Sequence, residues 1–243
     1  QGGCPIAVFL PPEQQPFFAG PYFPPDDRWG RPGFSNLLGK IAEVWSQDAP
    51  GLRSQAQELT ARLECEWQVP NPVSISDQIL DTVVHDFSEE FDPNFGGFGS
   101  APKFPPATGL SLLLRCYRRT RDAKALRMVT KTLDAMAAGG MYDHIGGGFA
   151  RYSTDERWLV PHFEKMLYDN ALLARAYLDA YQVTKQETYR DVVIEVLDYI
   201  LREMTDHDGG FYSATDADSE GVEGKFFVWT PDQIRQAVND DED

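Results

Sequence analysis

The spacing of apolar positions changes character along this chain. Residues 6–10 form an unbroken apolar run, entered through Pro5 and stopped by Pro11-Pro12, the pattern of a short buried strand. A second apolar run begins at Phe17 and is closed by Pro24-Pro25, and it predicts a second strand. After a loop over 26–33, Phe34, Leu37, Leu38, Ile41, Ala42 and Trp45 recur at helical spacing. Leu52, Ala56, Leu59 and Leu63 mark another helical stretch. Two strands and one or two helices make half of an α/β unit, with the opening strands of its sheet missing. Val69-Pro70-Asn71-Pro72 is a joint that a helix cannot cross, so the expected division is an α/β part over 1–70 and a second part over 71–243.

The second part reads as all-helical with long loops. Ile79, Leu80, Val83, Val84 and Phe87 predict an amphipathic helix over 77–87, capped by Ser76. Further helices are expected over 110–117, 123–136, 163–181 and 189–204. Thr230-Pro231-Asp232 opens a sixth: Thr caps, Pro is tolerated at the first helical position, and Asp suits the positive helix end. Short and long connections alternate, which is the logic of helical hairpins.

A phrase recurs in the loops: Gly96-Gly97-Phe98, Gly147-Gly148-Phe149 and Gly209-Gly210-Phe211. The copies lie roughly fifty to sixty residues apart, a period at which an array of hairpins returns its loops to one face. The paired glycines permit positive φ and close approach, and acidic or histidine residues lie beside every copy.

Three segments around these turns hold most of the candidate chemistry. Asp143, His144 and Arg151 present an acid, an imidazole and a guanidinium within one loop, which suits sugar recognition or proton transfer and equally suits a loop tying down its own amides. If a helix starts near His162, then His162, Lys165 and Asp169 share a face, with Glu164 and Tyr168 paired on a neighbouring one. Such a face aims titratable groups into a cavity, or it locks helix to loop by ion pairs with His162 as a cap. Asp216-x-Asp218-x-Glu220-Gly221 imitates the opening of a calcium loop, but the twelfth position is Phe227, and 211–213 and 226–229 look like hairpin strands. The tip then offers Asp216, Asp218 and Glu223 to sugar hydroxyls or to water. No metal site and no cofactor motif emerges. His85 and His207 are isolated, at the surface or at helix ends.

Composition narrows the classes. With 42% hydrophobic and 12% aromatic residues over 243 positions, the chain can bury a real core and exceeds the usual single-domain size. A formal charge of -16 disfavours nucleic acid and anionic membrane surfaces, which need clustered Lys and Arg. No apolar run is long enough to span a bilayer. The three cysteines, Cys4, Cys65 and Cys116, are too scattered for a disulfide framework, and a reducing, cytoplasmic setting fits them.

Gln1-Gly2-Gly3 followed by Pro5, and then Pro16-Phe17-Phe18-x-Gly20-x-Tyr22-Phe23-Pro24-Pro25, resemble the central part of the thioredoxin-like domain in the spermatogenesis-associated protein 20 family. FGGFGSAPKFP, GGMYDHIGGGFARYSTDERWLVPHFEKMLYDNALLARAY and DGGFYSATDADSEGVEGKFFVWT are similar to that family's second domain nearly word for word. The resemblance implies a mixed fold: the C-terminal part of an α/β thioredoxin-like domain, then the first half of an (α/α)6 toroid similar to N-acylglucosamine 2-epimerases and six-hairpin glycosidases. It implies that the chain starts inside the first domain, with the family's redox-like motif upstream of Gln1, and stops about halfway round the toroid. It also makes Pro5 the candidate cis-proline, beside Cys4 where the family places Trp.

Two readings of function follow. In one, the toroid mouth binds a sugar on Tyr152, Trp158, Tyr168 and Tyr212, helped by Arg151, Asp155, Lys165, Asp216, Asp218 and Glu223, while His162, Glu164, Asp143, His144 and Asp169 supply epimerase-like or hydrolase-like acid-base chemistry. Related epimerases draw essential histidines from the second half of the toroid, so this segment alone is expected to be inactive. In the other, the thioredoxin-like unit recognises a protein thiol and the toroid is a docking platform.

Overall fold

The computed structural model describes residues 6–28, 30–67, 76 and 78–238. Cys4, Pro5 and the proline joint at 69–72 lie outside the described residues. The chain divides into two compact units, Gln1–Ser74 and Ile75–Asp243.

In the first unit, β1 (Ala7–Phe9) and β2 (Phe18–Gly20) pair antiparallel, with Val8 opposite Ala19. The two helical stretches run on as one element, α1 (Phe34–Trp67), broken at Asp48 where φ is -145° and ψ 58°. Asp48 Oδ1 accepts from Gly51 N at 2.9 Å and so caps the second stretch. Pro50 therefore falls in a first turn, where a missing N–H costs nothing. Among the described residues the buried apolar side chains of this unit are Leu37 and Ala56 with the prolines Pro11 and Pro24.

The second unit is a stack of helical hairpins: α2 (Gln78–Glu90), α3 (Ala107–Thr120), α4 (Ala123–Ala138), α5 (Leu167–Thr184), α6 (Glu187–Glu203) and α7 (Pro231–Ala237). The central helix is α5, which packs against α3, α4 and α6. Small side chains on it, Ala174, Ala176 and Ala180, let the neighbours approach, and Leu173 and Tyr177 fill the core between them. The Tyr177 hydroxyl, wholly buried, donates to Leu133 O at 2.7 Å, so its polar atom costs little to bury. α3 and α5 end alike. Arg121 and Lys185 take left-handed φ of 61° and 63°, and Thr120 and Thr184 each accept from the backbone N–H two residues on at 3.2 Å. α7 starts with a full capping box between Thr230 and Gln233.

The loops carry short two-residue strands: β3 (Tyr152–Ser153), β4 (Pro161–His162), β5 (Lys165–Met166), β6 (Ala214–Thr215), β7 (Asp218–Ser219) and β8 (Val222–Glu223). β3 pairs with β4, β5 with β6, and β7 with β8, all antiparallel. Two expectations are corrected here. The helix expected from 163 begins at Leu167, because the preceding residues are spent on β4 and β5, so His162 is not a helical residue and caps nothing. The expected hairpin strands at 211–213 and 226–229 are not strands. The hairpin is instead β7–β8, turning on Glu220 and Gly221 at φ 54° and 77°.

Each Gly-Gly-Phe turn is closed by a backbone bond from its aspartate, and the third turn is one residue shorter than the first two. Asp92 N donates to Gly97 O at 3.0 Å, Asp143 N to Gly148 O at 3.0 Å, and Asp206 N to Gly210 O at 2.7 Å. In the first two a buried lysine closes the turn. Lys103 Nζ lies 2.6 Å from Asp92 Oδ2 and 2.8 Å from Gly96 O, and Lys165 Nζ lies 2.7 Å from Asp143 Oδ2 and 2.8 Å from Gly147 O. The backbone of each lysine then pairs with the segment just beyond the next turn, Lys103 with Ser153 and Lys165 with Thr215. Consecutive hairpins are thus stitched together at the loop end.

Candidate functional site

The segment 161–165 separates the candidate residues. Extended backbone alternates its side chains between two faces, so His162 and Glu164 point one way while Pro161, Phe163 and Lys165 point the other.

On the first face His162 ends a ladder of rings. Phe104 stacks on Tyr152 at 4.6 Å between centroids and 29° between planes, and Tyr152 stacks on His162 at 5.1 Å and 22°. His162 Nδ1 lies 2.7 Å from Glu223 Oε1 on β8, and its Nε2 lies 3.7 Å from Glu164 Oε2. The same Glu164 oxygen accepts from Arg151 Nη1 at 2.9 Å, while Arg151 N donates to Glu164 O at 2.8 Å. One imidazole thus stands between two carboxylates brought from different loops.

Asp169 sits beside this chain of charges, in the first turn of α5. Its Oδ2 and the Nε of Arg151 are the buried side-chain polar atoms without a hydrogen-bond partner among the described residues. Burial pushes the Asp169 carboxyl up to about 6; the Arg151 charge opposes this and the Glu164 charge adds to it. Tyr168 is half exposed and lies close enough to Arg151 to act on its charge.

The second face carries two hollows. One, of about 220 Å³, is lined by Tyr142, His144, Ile145, Phe163 and Phe227. The other, of about 260 Å³, is lined by Tyr199, Arg202, Glu203, Asp216 and Phe226. Asp143, Lys165 and Phe227 border both. His144 and Asp216 therefore gather around the Asp143–Lys165 pair, and His162 does not join them.

Several expected site residues are held by the scaffold. Asp143 accepts from Ile145 N, Gly146 N and Lys165 Nζ; burial alone would raise its carboxyl, but these donors hold it below the usual carboxylate range. Lys165 is almost wholly buried in that pair. Asp155 accepts from the N–H groups of Arg157, Leu159 and Val160 and so shapes its loop. Trp158, expected as an exposed platform, is fully buried; its Nε1 donates to Phe95 O at 3.0 Å and its ring packs on Gly97. His144 Nε2 lies 3.0 Å from Gly139 O. Tyr212 is exposed and donates to Asp206, and Asp216 accepts from Asp218 N at 3.0 Å in its own turn. Among the described residues one group has metal-ligand spacing, Asp206, His207 and Asp208, and it lies mostly exposed at the third turn.

A family model described as "Protein of unknown function, DUF255", of the DsbH thioredoxin type, matches residues 1–64. Spermatogenesis-associated protein 20 of Homo sapiens is 42% identical over 255 residues, covering 98% of this chain and 32% of its own length. The Rattus norvegicus protein of that name is 40% identical with the same coverage of both chains. Nearly the whole of this chain is thus similar to one stretch of spermatogenesis-associated protein 20. The chain spans about a third of the length of the curated relatives it matches.

Among solved structures, this chain is similar to cellobiose 2-epimerase from Spirochaeta thermophila, with a TM-score of 0.51 at 19% identity over 57% of this chain and 39% of that one. It is likewise similar to cellobiose 2-epimerase from Bacillus thermoamylovorans, with a TM-score of 0.51 at 13% identity over 58% and 42%. At these identities the likeness is one of fold. The fold seen here is mixed, a thioredoxin-like α/β part followed by the first half of an (α/α)6 toroid. Phe104, Lys103 and Phe227 are not among the site residues that the sequence suggested. The first two stand in the phrase APKFP, and recurrence of a lysine after each of the first two Gly-Gly-Phe turns is the signal that marks them.

Proposed function

We propose that the toroid unit binds a sugar on the His162 face and moves protons there, in epimerase-like or hydrolase-like chemistry. The observation that carries this reading is Asp169, a carboxyl held at about 6 with one sealed, unpartnered oxygen, beside the Arg151–Glu164–His162–Glu223 chain. A group that changes protonation near neutrality can both donate and accept a proton under ordinary conditions. Glu223 fixes one nitrogen of His162, leaving the other on the Glu164 side. The ring ladder ends in Phe104, 56% exposed, which offers an apolar surface to the face of a pyranose. Support also comes from the two solved structures of similar fold, both cellobiose 2-epimerases.

The test is the shift in melting temperature of the chain on adding cellobiose. A saturable rise that is lost in both His162→Ala and Asp169→Asn is expected. A rise that survives in both variants, or no rise in the unaltered chain, defeats the reading. The thioredoxin match over 1–64 favours a second reading, in which the first unit engages a protein thiol. Thiol-dependent capture of a cysteine peptide, with no response to cellobiose, would select it.

A further inference from the structure

The two hollows on the far side of the 161–165 segment differ in lining. Around the first, Tyr142, Ile145, Pro161, Phe163 and Phe227 make an apolar and largely aromatic chamber. Around the second, Arg202, Glu203, Asp216, Thr215 and Ser219 set hydrogen-bonding groups against the rings of Phe226 and Phe227. Phe227 stands at the boundary, stacked on Phe163 at 5.5 Å and 11°, with Lys165 Nζ 5.2 Å from its centroid. The Lys165–Asp143 pair borders both chambers and is locked by the second Gly-Gly-Phe turn, so the shared wall is rigid. A chamber of rings joined to a chamber of hydroxyl-binding groups fits a molecule that is itself divided in this way.

We propose that the cleft on either side of Phe227 is a second binding site, separate from the His162 face, for a glycoside with an apolar aglycone. The aglycone lies among Tyr142, Ile145 and Phe163. The sugar ring lies against Phe226, with its hydroxyls toward Asp216, Glu203 and Ser219. The choice of a sugar as the polar half rests on the function proposed above, whereas the two-chamber geometry does not.

The test is calorimetric titration of the full chain with 4-nitrophenyl β-D-glucopyranoside, with glucose and 4-nitrophenol each titrated alone. The glucoside is expected to bind saturably, and each half alone at least about tenfold more weakly. Phe227→Ala should abolish binding. Because Phe227 is half buried, Ile145→Ser and Phe226→Ala serve as variants that spare the fold, their side chains being 94% and 72% exposed. Each is expected to weaken binding about tenfold, while His162→Ala retains it. Absence of saturable glucoside binding overturns the proposal. So does full-strength binding in both Ile145→Ser and Phe226→Ala. Loss of binding in His162→Ala alone would place the glucoside on the other face, which removes the second site and leaves the function proposed above standing.

Discussion

At the scale of single residues, Asp169 ties structure to pH. Its folded value of about 6 lies above the ordinary 3.8, so the folded chain holds this proton more tightly than the unfolded chain does. Its effect on stability is therefore most favourable below pH 4 and is lost as pH rises from about 4 to about 6. Solvent screens the half-buried carboxylate, which reduces the cost of ionising it to about 1 kcal/mol. Asp169→Asn removes that cost, so at pH 7 the variant should be more stable by about 1 kcal/mol, with the advantage vanishing at pH 4. Urea unfolding at the two pH values measures it, and an unaltered chain at least as stable as the variant at pH 7 contradicts it. Asp169 was legible in the sequence as a titratable residue among others. Its burial was not, because that depends on α5 beginning at Leu167. Trp158 shows the opposite error: it was expected to bind a sugar at the toroid mouth, but Gly97 and Gly139, distant along the chain, receive its ring and backbone.

At the scale of elements, the Gly-Gly-Phe turns could be found by eye as a repeat, but their role as stitches between hairpins could not. That role needs Lys103 to meet Ser153 and Lys165 to meet Thr215, pairings with no local signature. The helices were easier: α4 and α6 have regular apolar spacing, and α7 opens on the start signal Thr230-Pro231-Asp232. The failure at α5 has a definite cause. The pattern Pro161-His162-Phe163-Glu164-Lys165 fits helical spacing of its polar residues and strand alternation equally well, and partners on β3 and β6 decide for the strand. The turns also make a contrast that can be measured. Gly148 has φ +79°, and an added Cβ would lie 2.5 Å from Tyr199 Cδ1. Gly148→Ala should cost about 2–3 kcal/mol from strain and overpacking together. Gly210, the corresponding glycine of the third turn, has no atom within 4 Å of an added Cβ and no positive φ. Gly210→Ala should stay within about 0.5 kcal/mol. Thermal unfolding of the two variants compares them directly, and equal losses would show that the turns are not packed as described.

At the scale of the whole molecule, the change from strand and helix to helical hairpins was visible in the sequence, and contacts divide the chain at Ser74 and Ile75. The charge of -16 sits on a chain in which, among the described residues, no helix is long and apolar enough to cross a membrane. What the sequence did not disclose is how unequally the two units are filled. One continuous apolar core runs from Ala107 on α3 to Met204 at the end of α6, with Phe149, Trp158 and Tyr177 inside it. Among its described apolar side chains the first unit buries Leu37, Ala56 and the prolines Pro11 and Pro24, while Ile6, Val8 and Leu10 remain exposed. A piece of about sixty residues with so little buried surface falls short of the conformational entropy it must offset. Residues 76–238 expressed alone are therefore expected to unfold in one cooperative thermal transition with a strong helical circular dichroism signal, and residues 6–67 alone to show none. A gradual, non-cooperative melt of 76–238 would mean that the hairpin core depends on the first unit for its order, and the stitched loops would then be insufficient to hold the helices in register.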